Sequence, residues 1–159
     1  MIPKFRVWLK KEKKMVATDD IVNISFEDEE ICVQTLYFEE GLISARDLDC
    51  YEFDEIELMQ STGIKDKAGN EIFEGDILIT NAHASIVSFG KYTYFEDADT
   101  EVTEVGFYLS YLNVSPATYS PFEEFFWEKC QVIGNIHKNE LDLIMYESWK
   151  FNKEMEDET

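Results

Sequence analysis

The sequence contains few of the features that mark membrane spans, secreted chains or flexible linkers. No stretch approaches the roughly 18 to 20 apolar residues that a membrane-spanning helix needs, and the N-terminus lacks the apolar core of a signal peptide. Only 3 prolines and 7 glycines occur among 159 residues, and no Pro/Gly-rich linker divides the chain. We therefore expect a single domain over residues 1–159, located in the cytoplasm and not bound to a membrane.

Cysteine and histidine are too few and too scattered to suggest a disulfide framework or a metal centre. The 3 cysteines, Cys32, Cys50 and Cys130, are odd in number and form no C-x-x-C pair, so we interpret them as reduced, mostly packed thiols. The 2 histidines, His83 and His137, lie far apart. The sequence thus predicts no metal and no cofactor.

Positive charge is scarce beyond residue 14. Six of the 14 basic residues lie within residues 1–14 beside one acid, Glu12, so the remainder carries 8 basic and 33 acidic residues, a balance of −25. Such a field repels phosphate backbones, which makes direct nucleic-acid binding by the body of the protein unlikely. A lysine-rich turn beside Trp8 is the only segment suited to touching phosphate.

Motifs for catalysis and ligand binding are absent or incomplete. Residues 97–101 begin like a calcium-binding loop, but Val102 replaces the required glycine and Tyr108 the bidentate glutamate. The sequence contains no nucleophile elbow, P-loop or dinucleotide-binding glycine motif. We therefore predict no catalytic residue and interpret the protein as a non-enzyme.

Alternating apolar residues predict short antiparallel strands over most of the chain. One hairpin joins 5–9 to 15–16, a second joins 21–26 to 31–37, and further strands are expected near 56–60, 76–79, 86–89, 105–111 and 131–136, with a break at Gly90. The predicted fold is mainly β with minor α (β-rich α+β), a curved sheet or small, partly open barrel. The only plausible boundary, near 40–58, would separate a hairpin layer over 1–55 from a barrel-like part over 56–139.

Two helices are predicted in the second half of the chain. Ser120 as N-cap, Pro121 at the first helical position and Glu123 three residues after the cap indicate a short helix near 121–129. A second apolar stripe at helical spacing predicts a C-terminal helix near 140–152.

Three segments in order resemble the YopX family of phage and prophage proteins. They are "FRVWLKKEKKMV" (5–16), "MQSTGIKDKAGNEIFEGDIL" (59–78) and "VIGNIHKN" (132–139). Departures from the family pattern are mostly conservative, such as Ser61 where tyrosine is usual and Ile64 for leucine. The resemblance implies a β-rich, self-associating accessory protein in a bacterial host, and it implies no catalytic residue.

Weak binding candidates follow from this resemblance and from the first strand. Five residues of the second and third family segments could contact a ligand: Asp66, Lys67, Glu74, Asp76 and Asn135. Arg6 and Trp8 form a second candidate pair, since we expect them to point to opposite faces of their strand, with one of them a buried ion-pair partner.

Three functional hypotheses remain open at the level of sequence. The first is a protein-binding module, as a homo-oligomer, whose surplus aromatics anchor an interface: Tyr92, Tyr94, Phe107, Tyr111, Phe122, Phe125, Phe126 and Trp127. The second is a small-barrel module for nucleic acid, and the third is an acidic DNA mimic that occupies the basic groove of a host protein.

Overall fold

The fold consists of antiparallel β-strands with very little helix. A computed structural model describes residues 2–80, 83–112 and 114–137, and its sheets are curled and include a half-barrel. Its strands are β1 Phe5–Leu9, β2 Lys14–Val16, β3 Ile21–Ser25, β4 Glu30–Glu39, β5 Leu42–Glu52, β6 Ile56–Lys65, β7 Glu71–Phe73, β8 Asp76–Ile79, β9 Ala84–Phe95, β10 Glu101–Tyr111, β11 Tyr119–Pro121 and β12 Gln131–Asn135. The prediction of a mainly β fold with curved antiparallel sheets is confirmed.

The chain divides into two compact units, Met1–Ser61 and Thr62–Thr159. Strand β6 runs through the division, in a four-stranded sheet of order β2-β1-β6-β7. A second sheet of order β3-β4-β5 lies in the first unit, and a five-stranded sheet of order β11-β10-β9-β8-β12 lies in the second.

The first unit is organised by two hairpins that enclose an aliphatic core. Strand β1 pairs with β2 and with β6, and β4 pairs with both β3 and β5. Inward-facing side chains of these strands form the core: Val7, Leu9, Val16, Ile31, Val33 and Ile56. Because residues two apart on a strand share a face, the alternation of the sequence is sufficient to place these residues inside.

The second unit surrounds a core that combines aliphatic and aromatic side chains. The long hairpin of β9 and β10 pairs from Phe95 with Glu101 to Ser85 with Tyr111, and β12 returns to the sheet beside β8. Its principal core residues are Ile72, Leu78, Val87, Leu109, Phe126 and Cys130. Strand β9 continues through Gly90, which pairs with Gly106, so the predicted break at this glycine is wrong.

The helix predicted near 121–129 is also largely wrong. Ser120 and Pro121 belong to strand β11, where Pro121 pairs with Tyr108, and only one helical turn, α1 Glu124–Trp127, follows. Proline can occupy a strand at the sheet edge because its missing N–H then costs no ladder hydrogen bond. The helix predicted near 140–152 lies outside the described residues. Among the described residues, no helix is long and apolar enough to cross a membrane.

Two cysteines are paired, contrary to the prediction of reduced thiols. Cys32 on β4 and Cys50 on β5 stand directly opposite each other and form a disulfide bond. Cys130 is a buried thiol outside the disulfide, and burial, followed by the charge of Asp66, raises its pKa to about 11. The sequence spacing could not reveal the bond because it depends on the register of the hairpin.

Candidate binding surfaces

The turn after β6 is organised by the carboxylate of Asp66. Oδ1 accepts hydrogen bonds from the backbone N–H groups of Ala68 (3.0 Å) and Asn70 (2.8 Å). Oδ2 accepts from the Asn70 side chain (3.2 Å) and from the backbone N–H of Val132 (2.9 Å), at the start of β12. Gly69 supplies the positive φ (+87°) that the turn requires, as predicted. This carboxylate therefore closes its own turn and attaches it to β12.

The ionisation of Asp66 reflects these contacts. The side chain is only 5% exposed, and burial alone would raise its pKa. Hydrogen bonds from Val132, Asn70 and Ala68 outweigh burial and lower the pKa below the ordinary 3.8. The group is consequently an anion at neutral pH, with its oxygens directed at protein donors.

Two further candidates, Asp76 and Asn135, lie opposite each other on β8 and β12. Oδ2 of the buried Asp76 accepts a hydrogen bond from the backbone N–H of Phe73 (2.8 Å). Oδ1 of Asn135, also buried, accepts from the backbone N–H of His137 (3.1 Å). Both side chains thus stabilise the backbone at the ends of their strands.

The structure only partly gathers the five candidates of the family segments. Asp66 and Lys67 lie near the start of β12, whereas Asp76 and Asn135 pair at its end. Lys67 is exposed, and its backbone N–H donates to the carbonyl of Cys130 (3.2 Å). Glu74 is half-buried. A ligand role for these residues stays a prediction, and the contacts described above give three of them a structural role.

Arg6 and Trp8 lie on the same face of β1, so the expectation that they point to opposite faces is wrong. Residues two apart on a strand share a face, and Val7 and Leu9 occupy the other one, in the core. Trp8 is buried at 9% exposure and Arg6 is half-buried. Trp8 stands between Met15 and Glu57 on the neighbouring strands.

The first unit contains a polar cleft of about 200 Å³. Its wall includes a hydrogen bond from the Tyr51 hydroxyl to Oε1 of Glu12 (3.4 Å) and one from Nε2 of Gln34 to Oδ1 of Asp20 (3.4 Å). Burial, followed by the charges of Glu12 and Asp49, raises the pKa of Tyr51. The lining residues are Leu9, Glu12, Lys14, Met15, Val16, Asp20, Val33, Gln34, Thr35, Asp49 and Tyr51. The lining includes three carboxylates (Glu12, Asp20 and Asp49) and one ammonium group (Lys14). The charge of the cleft therefore favours a small cationic ligand over an anion.

A cluster with metal-binding residue types lies beside the disulfide. Ligand atoms of Glu30, Cys32 and Cys50 fall within 4.8 Å of one another. The two sulfurs are bonded to each other, so neither offers the thiolate that a metal requires. The disulfide form of this cluster is therefore not a metal site.

The hairpin of β4 and β5 carries exposed apolar residues at its far end. We call residues 36–48 the β4–β5 arm. Phe38 is 63% exposed, Leu42 74% and Ile43 61%, and Tyr37 and Leu48 are also exposed. Phe38 pairs with Ile43 directly below the turn. Exposed apolar side chains are thus grouped at one end of this hairpin.

The turn of the arm defines its shape. Glu39 pairs with Leu42, and the two residues between them, Glu40 and Gly41, both have positive φ (53° and 80°). Two such residues form the tight hairpin turn whose twist matches that of the strands. The sequence Glu-Glu-Gly between Phe38 and Leu42 is a turn signal, but no hairpin was predicted at this position.

Among the aromatic residues expected to anchor an interface, those whose side chains the structure describes each pack against another aromatic ring. Tyr92 stacks on Tyr94 and Tyr108, with ring centroids 5.7 Å and 4.7 Å apart. The Tyr92 hydroxyl donates to Oε2 of Glu104 (3.0 Å), and burial together with this bond raises its pKa to about 12. Phe126 is buried in the core. These rings mainly serve the fold, and the exposed apolar surface of the arm lies elsewhere.

The family of the chain follows from a match over most of its length. The YopX protein family matches residues 4–142, and the chain belongs to this family. The match includes the Asp66 turn, the arm and strand β12. The resemblance seen in the three sequence segments is thus confirmed.

A solved structure shares this fold. The crystal structure of protein EF1440 from Enterococcus faecalis is 26% identical and superposes with a TM-score of 0.54, covering 90% of this chain and 99% of that one. No curated protein matches the chain.

Proposed function

We propose that this chain is a non-enzymatic protein-binding module that associates with itself through the β4–β5 arm, and that it serves as an accessory protein encoded by a phage or prophage. Membership of the YopX family supports the accessory role. The absence of a catalytic motif from the sequence supports a non-enzymatic role. Its site of action is the cytoplasm of the bacterial host.

The observation that carries this proposal is the exposure of Phe38, Leu42 and Ile43 at one end of one hairpin. A large apolar side chain gains roughly 1.5–3 kcal/mol when it leaves water completely. Phe38 and Ile43, which pair across the hairpin, together offer a favourable surface for a protein partner. Their pairing across a tight turn holds them in place before binding, which reduces the entropy lost on association.

The proposal is tested by light scattering on the purified protein and on the double variant Phe38→Ser, Ile43→Ser. Wild type should show a mass that rises with concentration, and the variant should remain a monomer. Both side chains are exposed, so their loss should leave the unfolding transition in urea unchanged.

A matched control uses exposed apolar residues outside the arm. Phe95 is 68% exposed and Val105 74%, and both lie on the β9–β10 hairpin. The variant Phe95→Ser, Val105→Ser should associate as wild type does. A wild-type protein that stays monomeric at every concentration, or a control that loses association equally, would contradict the proposal.

A second candidate function is nucleic-acid contact through the turn between β1 and β2. Lys10, Lys11, Lys13 and Lys14 are all exposed there. Filter binding at low salt should then retain DNA or RNA, and reversing the charge of Lys11 and Lys13 should abolish retention. Equal retention of wild type and variant, or none by either, would eliminate this candidate.

A further inference from the structure

Arg46 interrupts a long acidic segment of the sequence. It is the only lysine or arginine between Lys14 and Lys65, and it lies exposed on β5. Among the residues that the structure describes, none forms an ion pair or hydrogen bond with its side chain. The exposed guanidinium of Arg46 is therefore available to bind an anionic group of another molecule.

Arg46 shares one face of the arm with Leu36, Phe38 and Ile43. Arg46 pairs with Leu36 across the hairpin, Leu36 and Phe38 are two residues apart on β4, and Phe38 pairs with Ile43. A β-bulge between these two levels adds one residue to β5, so Ile43 and Arg46 lie on the same face although they are three residues apart. We call Leu36, Phe38, Ile43 and Arg46 the Arg46 face. Tyr37 lies on the other face, where its hydroxyl donates to Oδ2 of Asp47 (2.9 Å).

A partner that covers the Arg46 face must offer apolar surface next to a carboxylate. The arm itself has this combination, because Phe38 and Ile43 lie close to the turn residue Glu40, whereas Glu39 pairs with Leu42 on the other face. Both glutamates are exposed. A second copy of the chain is therefore complementary to the first in both charge and hydrophobicity.

The spacing along the arm is consistent with a symmetric pair. Residues on a strand advance about 3.3 Å each, so Arg46, level with Leu36, lies about 7 Å from the Phe38–Ile43 level. Glu40 lies about as far beyond that level on the other side. A two-fold axis at Phe38–Ile43 therefore brings each Arg46 to the level of the other copy's turn.

We propose that two copies of this chain pair through the Arg46 face, with Phe38 and Ile43 at the two-fold axis and each Arg46 bonded to Glu40 of the other copy. This inference rests on the proposed function and specifies its partner. The contact is isologous, because the same patch serves both copies. It is also small beside the standard interface of about 800 Å² per partner, so the dimer should be weak and concentration-dependent.

The test is sedimentation velocity at several protein concentrations and at low and high salt. Arg46→Glu should weaken the association constant about tenfold, since two symmetric ion pairs become repulsive contacts. Glu40→Arg should weaken it similarly. Combining the two substitutions should restore association, and salt should weaken wild type more than the single variants.

The control for net charge is Lys91→Glu. Lys91 is exposed on β9, and its reversal changes the charge by the same amount as Arg46→Glu. It should leave association unchanged. An equal effect of Lys91→Glu and Arg46→Glu, or a double variant Arg46→Glu, Glu40→Arg that does not recover association, would overturn the Arg46 pairing.

The failure of this inference is distinguishable from the failure of the proposed function. If Arg46→Glu has no effect while Phe38→Ser with Ile43→Ser abolishes the dimer, the arm mediates association without the ion pairs. If wild type does not associate at any concentration, both the self-association and this pairing are overturned.

Discussion

At the scale of single residues, Asp66 shows how a sequence signature can reflect structure. The Gly-Asp-rich segment predicted a turn, and the turn is present with Gly69 at positive φ. The sequence could not show that Asp66 is buried and that one of its donors, Val132, lies 66 residues away. Its position in the family segment made it a ligand candidate, whereas its contacts fix the backbone.

Replacing Asp66 with alanine should lower the free energy of unfolding by about 2–4 kcal/mol, because buried donors lose their acceptor. Urea unfolding followed by circular dichroism measures the change. Asp97→Ala is a matched control, since Asp97 also accepts from two backbone N–H groups but lies in an exposed turn. Its loss should cost about 1 kcal/mol or less.

The stabilisation by Asp66 should also depend on pH. The pKa of the group is lower in the folded protein than the ordinary 3.8, so its contribution is present above about pH 4 and is lost as the pH falls through the folded value. The difference in unfolding free energy between wild type and Asp66→Asn should therefore shrink below about pH 4. If the difference in unfolding free energy between wild type and Asp66→Asn stays constant from pH 7 to pH 3, Asp66 is not an anion stabilised by hydrogen bonds in the folded protein.

At the scale of elements, local sequence patterns predicted most of the strands. The segment near 121–129 and the disulfide depend on the register between distant strands, which local patterns do not give. The hairpins of β1 with β2 and β3 with β4 follow from alternation and charged turns. The helix near 121–129 was wrong because sheet pairing of Pro121 with Tyr108 overrides the local capping pattern. The Cys32–Cys50 bond likewise requires the register of β4 with β5, which spacing alone does not give.

The disulfide should stabilise the first unit when it is intact. Cys32 and Cys50 are 18 residues apart, and closing a loop of this size is worth about 3 kcal/mol. Reductant should lower the urea midpoint of wild type and leave the urea midpoint of the variant Cys50→Ser unchanged. Equal midpoints of wild type with and without reductant would show that the bond contributes nothing.

At the scale of the whole molecule, charge and apolar surface have opposite effects on association. A formal net charge of −20 makes copies of the chain repel each other. The arm concentrates exposed apolar residues around Arg46, and we propose that association occurs at this place despite the repulsive net charge. The net charge follows from the sequence alone, whereas the hairpin of β4 with β5 was not predicted and the exposure of Phe38 and Ile43 follows only from the fold.

The most direct test of arm-mediated association is hydrogen exchange measured by mass spectrometry at low and high protein concentration. Peptides covering residues 36–48 should exchange more slowly at high concentration, because the second copy covers them. Peptides covering residues 95–105, which are equally rich in exposed side chains, should exchange at the same rate in both samples. Concentration-independent exchange of the arm, in a sample whose mass increases, would place the interface elsewhere and contradict the account.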